Sequence, residues 1–279
     1  MFAYIDPTVK QDLIVSGKLF ALDENGELVP SAHEDAFIKV VGPIPLPVAY
    51  ATTEALPIAN QSDPFDWYAW VKRSDLDRIE QVVKTVRQHG PRDIFSLLSE
   101  QMAVNSALVY GNFSEAENPI VRIHSNCLTG DVFGSLRCDC GPQLHKALAT
   151  IAQEGVGAVI YMAGHEGRGI GLWAKAITYL LQDAGHDTYQ ANEHLGLPAD
   201  SRDFGDAARI LSFLRGGNKK IRLLGNNPLK CQALKQAGFE IIEQKPLVVG
   251  VNDNNIRYLT SKREHGHIIP IEALKNTNK

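Results

Sequence analysis

The chain is short of cysteine, and it has neither a long apolar run nor a block of like charge. Four of its 279 residues are cysteine, which is too few for the disulfide framework of a small secreted domain. No apolar stretch approaches the roughly 20 residues that a membrane-spanning helix needs, and the first residues lack the charged-then-apolar pattern of a secretory signal. We therefore expect a cytoplasmic protein without a membrane partner.

The charged residues argue against a nucleic-acid partner. The net charge is −4, and lysines and arginines are interspersed with acidic residues, whereas a nucleic-acid-binding surface normally shows a basic stripe. A nucleotide-sized anion needs only a few convergent donors. A nucleotide substrate is therefore compatible with this composition.

The apolar pattern predicts an α/β (α+β) fold in which a mixed sheet is flanked by helices. The composition, 44% hydrophobic and 22% charged, is that of a globular protein. After residue 141, helical patterns alternate with short apolar runs that are typical of buried strands. A strand at residues 37–41 is expected to end at the prolines that follow it. Before residue 141 we also predict a hairpin over 19–29, strands over 63–71 and 107–110, and helices over 74–90 and 92–102.

Three of the four cysteines lie close together and predict a metal site. Ten residues separate Cys127 from Cys138 and one separates Cys138 from Cys140, so one loop can bring the three thiols together. A catalytic zinc ion takes three protein ligands and leaves the fourth position to water or substrate. The alternatives are a redox pair, for which Cys-x-x-Cys is the usual motif, and three unrelated core cysteines. The fourth cysteine, Cys231, is expected to be a buried helix residue.

Two loops are candidate anion sites. The glycine-rich loop at 164–169 carries Arg168 between a predicted strand and a predicted helix, and the loop at 225–228 is followed by Lys230. Backbone N–H groups and cations at such positions can bind a phosphate. The residues alone leave open a plain glycine-rich turn for the first loop, and a strand-to-helix connection capped by Asn227 for the second.

Several motifs occur in an order that resembles the GTP cyclohydrolase II family. HSNCLTGD is followed by SLRCDCG, HEGRGIGL, LGNNPLK and the closing GHIIP, and the resemblance covers residues 105–267. It implies a hydrolase acting on cyclic amidines, which opens the imidazole ring of GTP for riboflavin biosynthesis. The products would be formate, pyrophosphate and 2,5-diamino-6-ribosylamino-4(3H)-pyrimidinone 5′-phosphate. It also implies a homodimer, with residues 51–279 as the catalytic domain and residues 1–50 as an N-terminal extension.

The resemblance implies a role for each matching residue. Cys127, Cys138 and Cys140 would bind one Zn²⁺ per subunit, and Mg²⁺ would accompany the phosphates of the substrate. The matching catalytic residues are Tyr179, Asp200 and Arg202. The matching substrate-binding residues are Arg122, Ile123, His124, Ser125, Asn126, Gln143, Glu166, Gly167, Arg168, Thr188, Gly225 and Lys230.

The catalytic residues have more ordinary interpretations as well. By resemblance, Tyr179 would hydrogen-bond or protonate the leaving nitrogen, and Arg202 would act at the α-phosphate, as an electrostatic clamp or as a transient phosphoryl acceptor. An uncharged arginine is hard to obtain because its pKa is above roughly 12, so we favour the clamp unless Asp200 can take a proton. From the residues alone, Asp200 and Arg202 would be an exposed ion pair in the polar turn ADSRD. Tyr179 would be a core helix residue beside an apolar stripe that contains Trp173 and Leu180.

Two departures from the family pattern leave three hypotheses. The family usually has glutamate where this chain has Asn126, and threonine where it has Gly225. The leading hypothesis is a zinc-dependent GTP ring-opening hydrolase. The second is a paralogue with the same zinc centre that acts on another nucleotide or nucleoside in uracil (pyrimidine) catabolism. The third is a non-catalytic binding module stabilised by zinc, which is disfavoured because a closed structural zinc site normally takes four ligands.

Overall fold

Nine strands within the described residues form one mixed sheet. The computed structural model of the chain describes residues 7–31, 36–48, 63–72 and 104–275. The strands are β1 Leu19–Leu22, β2 Leu28–Val29, β3 Ile38–Val48, β4 Asp63–Lys72, β5 Asn105–Tyr110, β6 Ile120–Ser125, β7 Gly157–Met162, β8 Lys220–Leu224 and β9 Glu240–Lys245. Their order across the sheet is β2-β1-β3-β4-β5-β7-β6-β8-β9.

Helices flank this sheet, which confirms the predicted fold class. They are α1 Pro7–Val15, α2 Leu128–Asp131, α3 Cys140–Glu154, α4 Gly171–Asp183, α5 Gln190–His194, α6 Gly205–Leu214, α7 Pro228–Gln236, α8 Ile256–Glu264 and α9 Ile271–Lys275, with a 3₁₀ segment at Ala163–Gly169. None of the described helices combines the length and the apolar character that a membrane span needs.

The sheet has an antiparallel half and a parallel half, and this division locates the site. The pairs from β2 through β5 to β7 are antiparallel, whereas β7, β6, β8 and β9 run parallel to one another. The carboxyl ends of the parallel strands therefore share one edge, where the chain leaves β6 at Asn126, β7 at Ala163 and β8 at Gly225. In open α/β sheets, ligands bind at this edge.

The core lies on both faces of the sheet. On one face, apolar residues of α6 such as Leu211 pack against strand residues such as Ile123 and Ile160. On the other face, residues of α3 such as Ile151 pack against Ile120. Because β6 is covered on both faces, its first five residues are all buried, as expected of a parallel strand.

Strand β3 corrects one prediction. It was expected to end at its prolines, but it continues to Val48. Its first part, up to Val41, pairs with both β1 and β4, whereas the part after a register shift at Val41/Ile44 pairs with β4. Prolines lack an N–H donor, so they are tolerated where one side of a strand needs no partner.

The N-terminal strands join the same sheet as the rest of the chain. The predicted hairpin is confirmed, since β1 and β2 pair with Ala21 opposite Val29, and β3 pairs with β4 with Val40 opposite Trp70. The helices predicted over 74–90 and 92–102 lie outside the described residues. The boundary at residue 50 between an extension and a catalytic domain stays a prediction.

Candidate active site and metal centre

One pocket opens at the carboxyl edge of the parallel strands. It is lined by the loops after β6, β7 and β8 and by residues of α4 and α8. Every residue predicted for metal, substrate or catalysis lines it, apart from Ile123 and Asp200. The side chain of Ile123 is 1% exposed, so its contribution is the backbone carbonyl, which accepts a hydrogen bond from Lys230 Nζ at 2.7 Å.

The structure brings the three predicted cysteine ligands together. Cys127 is the N-cap of α2 and Cys140 is the first residue of α3. The Sγ atoms of Cys127 and Cys138 are 3.6 Å apart, and the three sulfurs all lie within 4.8 Å of one another. A tetrahedral zinc ion with Zn–S bonds of about 2.3 Å needs sulfurs roughly 3.8 Å apart, so the cluster fits such an ion. Cys231 does not belong to it and packs, half-buried, against the core from α7.

Gly130 has no side chain, and sulfurs of the cysteine cluster occupy the space that a side chain would fill. A Cβ at this residue of α2 would lie 2.7 Å from Sγ of Cys138 and 3.2 Å from Sγ of Cys127. The first distance is shorter than a carbon and a sulfur can approach. The local backbone is therefore shaped around the thiols.

We expect Gly130→Ala to weaken metal binding by about 10- to 100-fold, the range seen when groups that orient metal ligands are changed. Competition with a chromophoric chelator measures this affinity. The control is Gly205→Ala, whose Cβ would meet movable side-chain atoms of Asp203 and Arg209. Equal zinc affinity in both variants would contradict the assigned role of Gly130.

The three thiols compete for protons when no cation is bound. Hydrogen bonds from the thiols of Cys138 and Cys140 lower the pKa of Cys127. The hydrogen bond with Cys127 raises the pKa of Cys138 to about 11, and the hydrogen bonds with Cys127 and Cys138 raise the pKa of Cys140 well above its ordinary value. A divalent cation removes this competition because it binds the deprotonated form of each thiol.

A buried carboxylate holds the backbone at the first cysteine. Asp131 Oδ2 accepts a hydrogen bond from the Cys127 N–H at 3.1 Å and lies 3.0 Å from the Tyr161 hydroxyl. His124 Nε2 lies 3.1 Å from the same carboxylate, and its Nδ1 lies 3.4 Å from Nη2 of Arg122. Since burial lowers the pKa of His124, we assign a neutral ring that donates from Nε2 and accepts at Nδ1. Both ring nitrogens of His124, a predicted substrate residue, are therefore engaged in hydrogen bonds within the protein.

Asn126 and Ser125 are held by neighbouring loops. The side chain of Asn126 accepts a hydrogen bond from the Tyr161 hydroxyl at 2.7 Å and donates one to the carbonyl of Ala163 at 3.1 Å. Ser125 Oγ accepts a hydrogen bond from Nη1 of Arg202 at 3.3 Å. Both residues line the pocket, and their orientation is fixed by these contacts.

Three cations face the pocket and form no ion pair within the described part of the chain: Arg122, Arg168 and Lys230. Burial, followed by the charges of Arg122 and Arg202, lowers the pKa of Lys230 well below its ordinary value. Nearby cations and the loss of water both destabilise its ammonium. An anion that entered this part of the pocket would therefore remove an electrostatic penalty.

Arg168 is held in a strained backbone conformation. Its φ of 63° lies in the left-handed region, next to Gly167 at 59°, and such strain in a bulky residue is typical of functional sites. The guanidinium stacks on the ring of Tyr189 at 3.8 Å and donates to the carbonyl and the hydroxyl of Thr188. The predicted substrate residues Arg168 and Thr188 thus form one unit.

Asp200 and Arg202 are paired but not exposed, which corrects the expectation from their polar turn. Nε of Arg202 donates to Oδ1 of Asp200 at 2.8 Å, and Nη2 donates to Oδ2. The side chain of Asp200 is 15% exposed and that of Arg202 is 10% exposed. Ser201 donates its N–H to the Arg168 carbonyl at 3.0 Å, which attaches the turn to the glycine-rich loop.

Tyr179 lies on the pocket side of α4, and the apolar stripe beside it does not belong to the core. Its hydroxyl is 3.0 Å from Oγ1 of Thr129. Trp173 and Leu180 are 82% and 70% exposed, so the interpretation of this stripe as core is wrong. The helix instead buries Lys175 and Thr178, because its polar side faces the metal centre.

Gln143 and Glu166 have their polar atoms engaged within the protein. Oε1 of Gln143 accepts from Arg122 at 2.6 Å, and its Nε2 donates to Asp139 at 2.6 Å. Oε2 of Glu166 accepts from the N–H of Leu128 at 2.7 Å. These residues organise the walls of the pocket around the cysteines.

The structure confirms that Asn227, in the loop after β8, caps the helix that follows. Oδ1 of Asn227 accepts the N–H of Leu229 at 2.8 Å at the start of α7. A Cβ at Gly225 would lie 3.4 Å from Nη1 of Arg122, so a side chain there would contact that cation. The loop is thus both a helix cap and a wall of the pocket.

Several residues of the pocket were missed from the sequence. Lys175 contacts a cysteine ligand, and Lys262 Nζ pairs at 2.9 Å with Asp139, the residue between Cys138 and Cys140. The position of Asp139 inside the cysteine motif could have identified it. The other missed pocket residues include Arg137, His165, Tyr189, Tyr258 and His267.

We expect His165 to make the fold less stable in acid. Burial, with the charges of Arg202 and Lys230, lowers its pKa from 6.5 to about 4. The unfolded chain therefore binds the proton first, so this stability is complete above pH 6.5 and falls as the pH drops toward 4, by roughly 1.4 kcal/mol per pH unit. Urea unfolding at several pH values should show a shallower decline for His165→Gln than for the unchanged protein. The exposed His145→Gln control should keep the original slope, and identical slopes for all three proteins would contradict the assignment.

Comparison with known proteins identifies the family. The GTP cyclohydrolase II family model matches residues 85–246, which contain the three clustered cysteines and the glycine-rich loop. The chain belongs to the GTP cyclohydrolase II family. The resemblance drawn from the motifs is thereby confirmed.

Curated relatives of this GTP cyclohydrolase II family member carry the name riboflavin biosynthesis protein RibBA. Those of Mycobacterium marinum and Mycobacterium tuberculosis are each 46% identical over 226 residues, covering 78% of this chain and 52% of their own length. That of Nocardia farcinica is 47% identical over 209 residues, covering 72% of this chain and 49% of its own length. The chain thus spans about half the length of these relatives.

Proposed function

We propose that this protein is a zinc-dependent hydrolase that opens the imidazole ring of GTP. It would release formate and pyrophosphate and leave 2,5-diamino-6-ribosylamino-4(3H)-pyrimidinone 5′-phosphate for riboflavin biosynthesis. The observation that carries the proposal is one pocket in which three clustered thiols lie beside cations suited to a triphosphate. The family and the names of the relatives support the riboflavin role.

The three cysteines would hold the zinc ion. Bound there, Zn²⁺ would supply the Lewis acidity that activates water for attack on the electron-poor C8 of guanine. The chain itself supplies a fixed geometry, because Asp131 holds the backbone of Cys127 and Gly130 leaves room for the sulfurs.

Arg168 and Lys230 would bind the phosphates, which carry Mg²⁺ with them. Burial and the charges of Arg122 and Arg202 destabilise the Lys230 ammonium, so it would gain a counter-charge when a phosphate enters. Arg168 is pre-oriented by its stacking on Tyr189, so little conformational entropy is lost when it binds an oxygen.

Arg202 would clamp the α-phosphate rather than attack it. Burial lowers the pKa of Arg202, but hydrogen bonding to Asp200 and the charge of that carboxylate raise it overall. Burial raises the pKa of Asp200, but its contacts with Arg202 lower it overall. The raised pKa of Arg202 and the lowered pKa of Asp200 both oppose proton transfer from Arg202 to Asp200. They therefore support a charged guanidinium that stabilises negative charge.

Tyr179 would donate a hydrogen bond or a proton to the leaving nitrogen when formate is released. Burial, reinforced by the nearby Cys127, raises its pKa above the ordinary value despite the hydrogen bond to Thr129 and the charge of Lys175. The phenol therefore keeps its proton at neutral pH. A protonated phenol is what donation requires.

The second candidate is a zinc-dependent enzyme of uracil catabolism that acts on another nucleotide or nucleoside. The observation that favours it is Asn126, which offers no carboxylate to a guanine base and whose oxygen already accepts from Tyr161. Gly225 likewise offers no hydroxyl beside Arg122. The metal centre would be the same in both candidates.

Parallel assays separate the two. The zinc-loaded protein is incubated with GTP and Mg²⁺, and formate, pyrophosphate and the diaminopyrimidine are quantified. ATP, UTP and uridine serve as comparison substrates. Formate and pyrophosphate in equal amounts from GTP support the leading proposal. Turnover of a pyrimidine substrate while GTP persists would favour the second candidate.

We also propose a cytoplasmic homodimer with residues 51–279 as its catalytic domain. Exposed apolar side chains support association: Trp173 is 82% exposed, and Phe133 and Leu180 are each 70% exposed. Exposed apolar surface commonly marks a protein interface. Light scattering after size exclusion measures the mass, and a monomer at micromolar concentration would contradict the dimer.

A further inference from the structure

Lys175 reaches the metal centre from α4. Although it is a lysine, it is 8% exposed. Its Nζ lies 3.2 Å from Sγ of Cys127, 2.6 Å from Oε1 of Glu166 and 3.1 Å from Oγ1 of Thr129. Burying a cation is costly unless it is paired and hydrogen-bonded, and this ammonium has three acceptors for its three protons.

We propose that Lys175 is a positioning residue of the metal centre: its ammonium donates a hydrogen bond to the Cys127 sulfur and thereby weakens that ligand's electron donation to the bound ion. The inference rests on the metal centre of the proposed function and deepens it. None of the roles that the family resemblance implies is assigned to this lysine.

Charge explains why such a donor belongs here. Three thiolates around a divalent ion leave one net negative charge, and the buried carboxylate of Glu166 adds another within hydrogen-bonding distance of Lys175. A nearby ammonium offsets one of them. A hydrogen bond to a thiolate also draws electron density from sulfur, so the ion keeps more of its Lewis acidity.

Glu166 fixes the lysine and the cysteine together. Its Oε1 accepts from Lys175, while its Oε2 accepts from the N–H of Leu128, the residue after Cys127. The glycine-rich loop thus holds the first metal ligand at two points, through its backbone and through its sulfur. Both contacts place the ammonium against Cys127 rather than against the other two sulfurs.

Lys175 also connects the metal centre to Tyr179. Because an ammonium can only donate, Oγ1 of Thr129 accepts from Lys175, and the same oxygen lies 3.0 Å from the Tyr179 hydroxyl. A change at Lys175 should therefore affect turnover more than substrate binding. The phosphate-binding cations lie on other elements.

Cobalt substitution tests the proposal directly. Co²⁺ replaces zinc in thiolate sites, and its sulfur-to-metal charge-transfer band reports electron donation by the cysteines. Because Lys175→Met alone would leave Glu166 buried without a partner, the main variant is Lys175→Met combined with Glu166→Gln. The matched control is Glu166→Gln alone, in which the lysine still reaches Cys127. The exposed Lys245→Met is a surface control.

The double variant should bind one cobalt per chain with its charge-transfer band moved to longer wavelength, while both controls keep the original band. In the zinc form its kcat should fall about 10- to 100-fold below that of Glu166→Gln alone, with little further change in KM. A fully loaded double variant with an unmoved band would overturn the proposal. If the double variant does not fold, Lys175→Leu in the Glu166→Gln background decides. It also lacks an N–H donor, and an unmoved band there would overturn the proposal as well.

The charge-transfer band of bound cobalt reports on the cysteine ligands and does not depend on which substrate the protein uses. A shifted band together with inactivity toward GTP would support the role of Lys175 while refuting the proposed reaction. An unchanged protein that binds no cobalt would instead refute the metal centre, and this inference with it.

Discussion

Cys138→Ser is expected to abolish metal binding and activity together. Two thiolates remain in this variant, and a serine hydroxyl is a poor zinc ligand at neutral pH. Metal content measured by mass spectrometry should fall from about one zinc per chain to near zero, since a catalytic site needs its three protein ligands. Formate release from GTP should fall by a factor on the order of 10³ or more, because the Lewis acid contributes several kcal/mol to transition-state stabilisation.

Cys231→Ser is the matched control. Cys231 is a half-buried residue of α7 outside the cysteine cluster, so this variant should keep both its zinc and its turnover. Tightly bound stoichiometric metal in Cys138→Ser would contradict the ligand assignment. Equal loss of metal in both variants would show that thiol replacement as such, rather than loss of a ligand, is responsible.

The second large effect is expected for Tyr179→Phe. The change removes one hydroxyl that faces the pocket and leaves the ring against Arg137, whose guanidinium lies 4.5 Å from the ring centroid. If the phenol assists the leaving nitrogen, kcat should fall by roughly 10²-fold, the lower end of what general acid catalysis contributes. KM for GTP should change little, because the residues proposed to bind the phosphates are Arg168 and Lys230. Steady-state formate release, with zinc content measured in parallel, gives both constants.

Tyr110→Phe serves as the control for this experiment. Tyr110 is a residue of β5 that packs against Phe65, and it does not line the pocket. The activity of the Tyr110→Phe protein should therefore equal that of the unchanged protein. A Tyr179→Phe protein with full zinc content and unchanged kcat would remove Tyr179 from the mechanism. A raised KM with unchanged kcat would assign it to substrate binding instead.

Much of the fold was predictable because its buried strands and amphipathic helices have clear apolar periods. The alternation after residue 141 predicts strands over 158–162 and 220–224, and β7 and β8 span Gly157–Met162 and Lys220–Leu224. β6 was missed, since Arg122 and His124 interrupt its apolar run. Both side chains are buried, at 5% and 2% exposure, because they bond to each other and to partners on other elements. A local pattern cannot reveal polar residues that are satisfied by distant ones.

The site was predictable where chemistry and spacing coincide. Three cysteines within one loop predicted the cluster that the structure contains. Lys175 was missed because it lies in an apolar helix segment, and its partner Glu166 comes from a different loop. The burial of the Asp200–Arg202 pair could not be foreseen from its polar neighbours, because it depends on the packing of that turn against the glycine-rich loop.

The most direct test of the central claim is a single-turnover reaction with GTP labelled with ¹³C at C8. Zinc-loaded protein is mixed with a smaller amount of the labelled GTP in the presence of Mg²⁺, and the label is followed by ¹³C nuclear magnetic resonance. We expect the C8 signal of GTP to disappear and its label to appear in formate, with one pyrophosphate released per GTP. A C8 signal that persists in intact GTP, while the protein retains one zinc per chain, would contradict the proposed reaction.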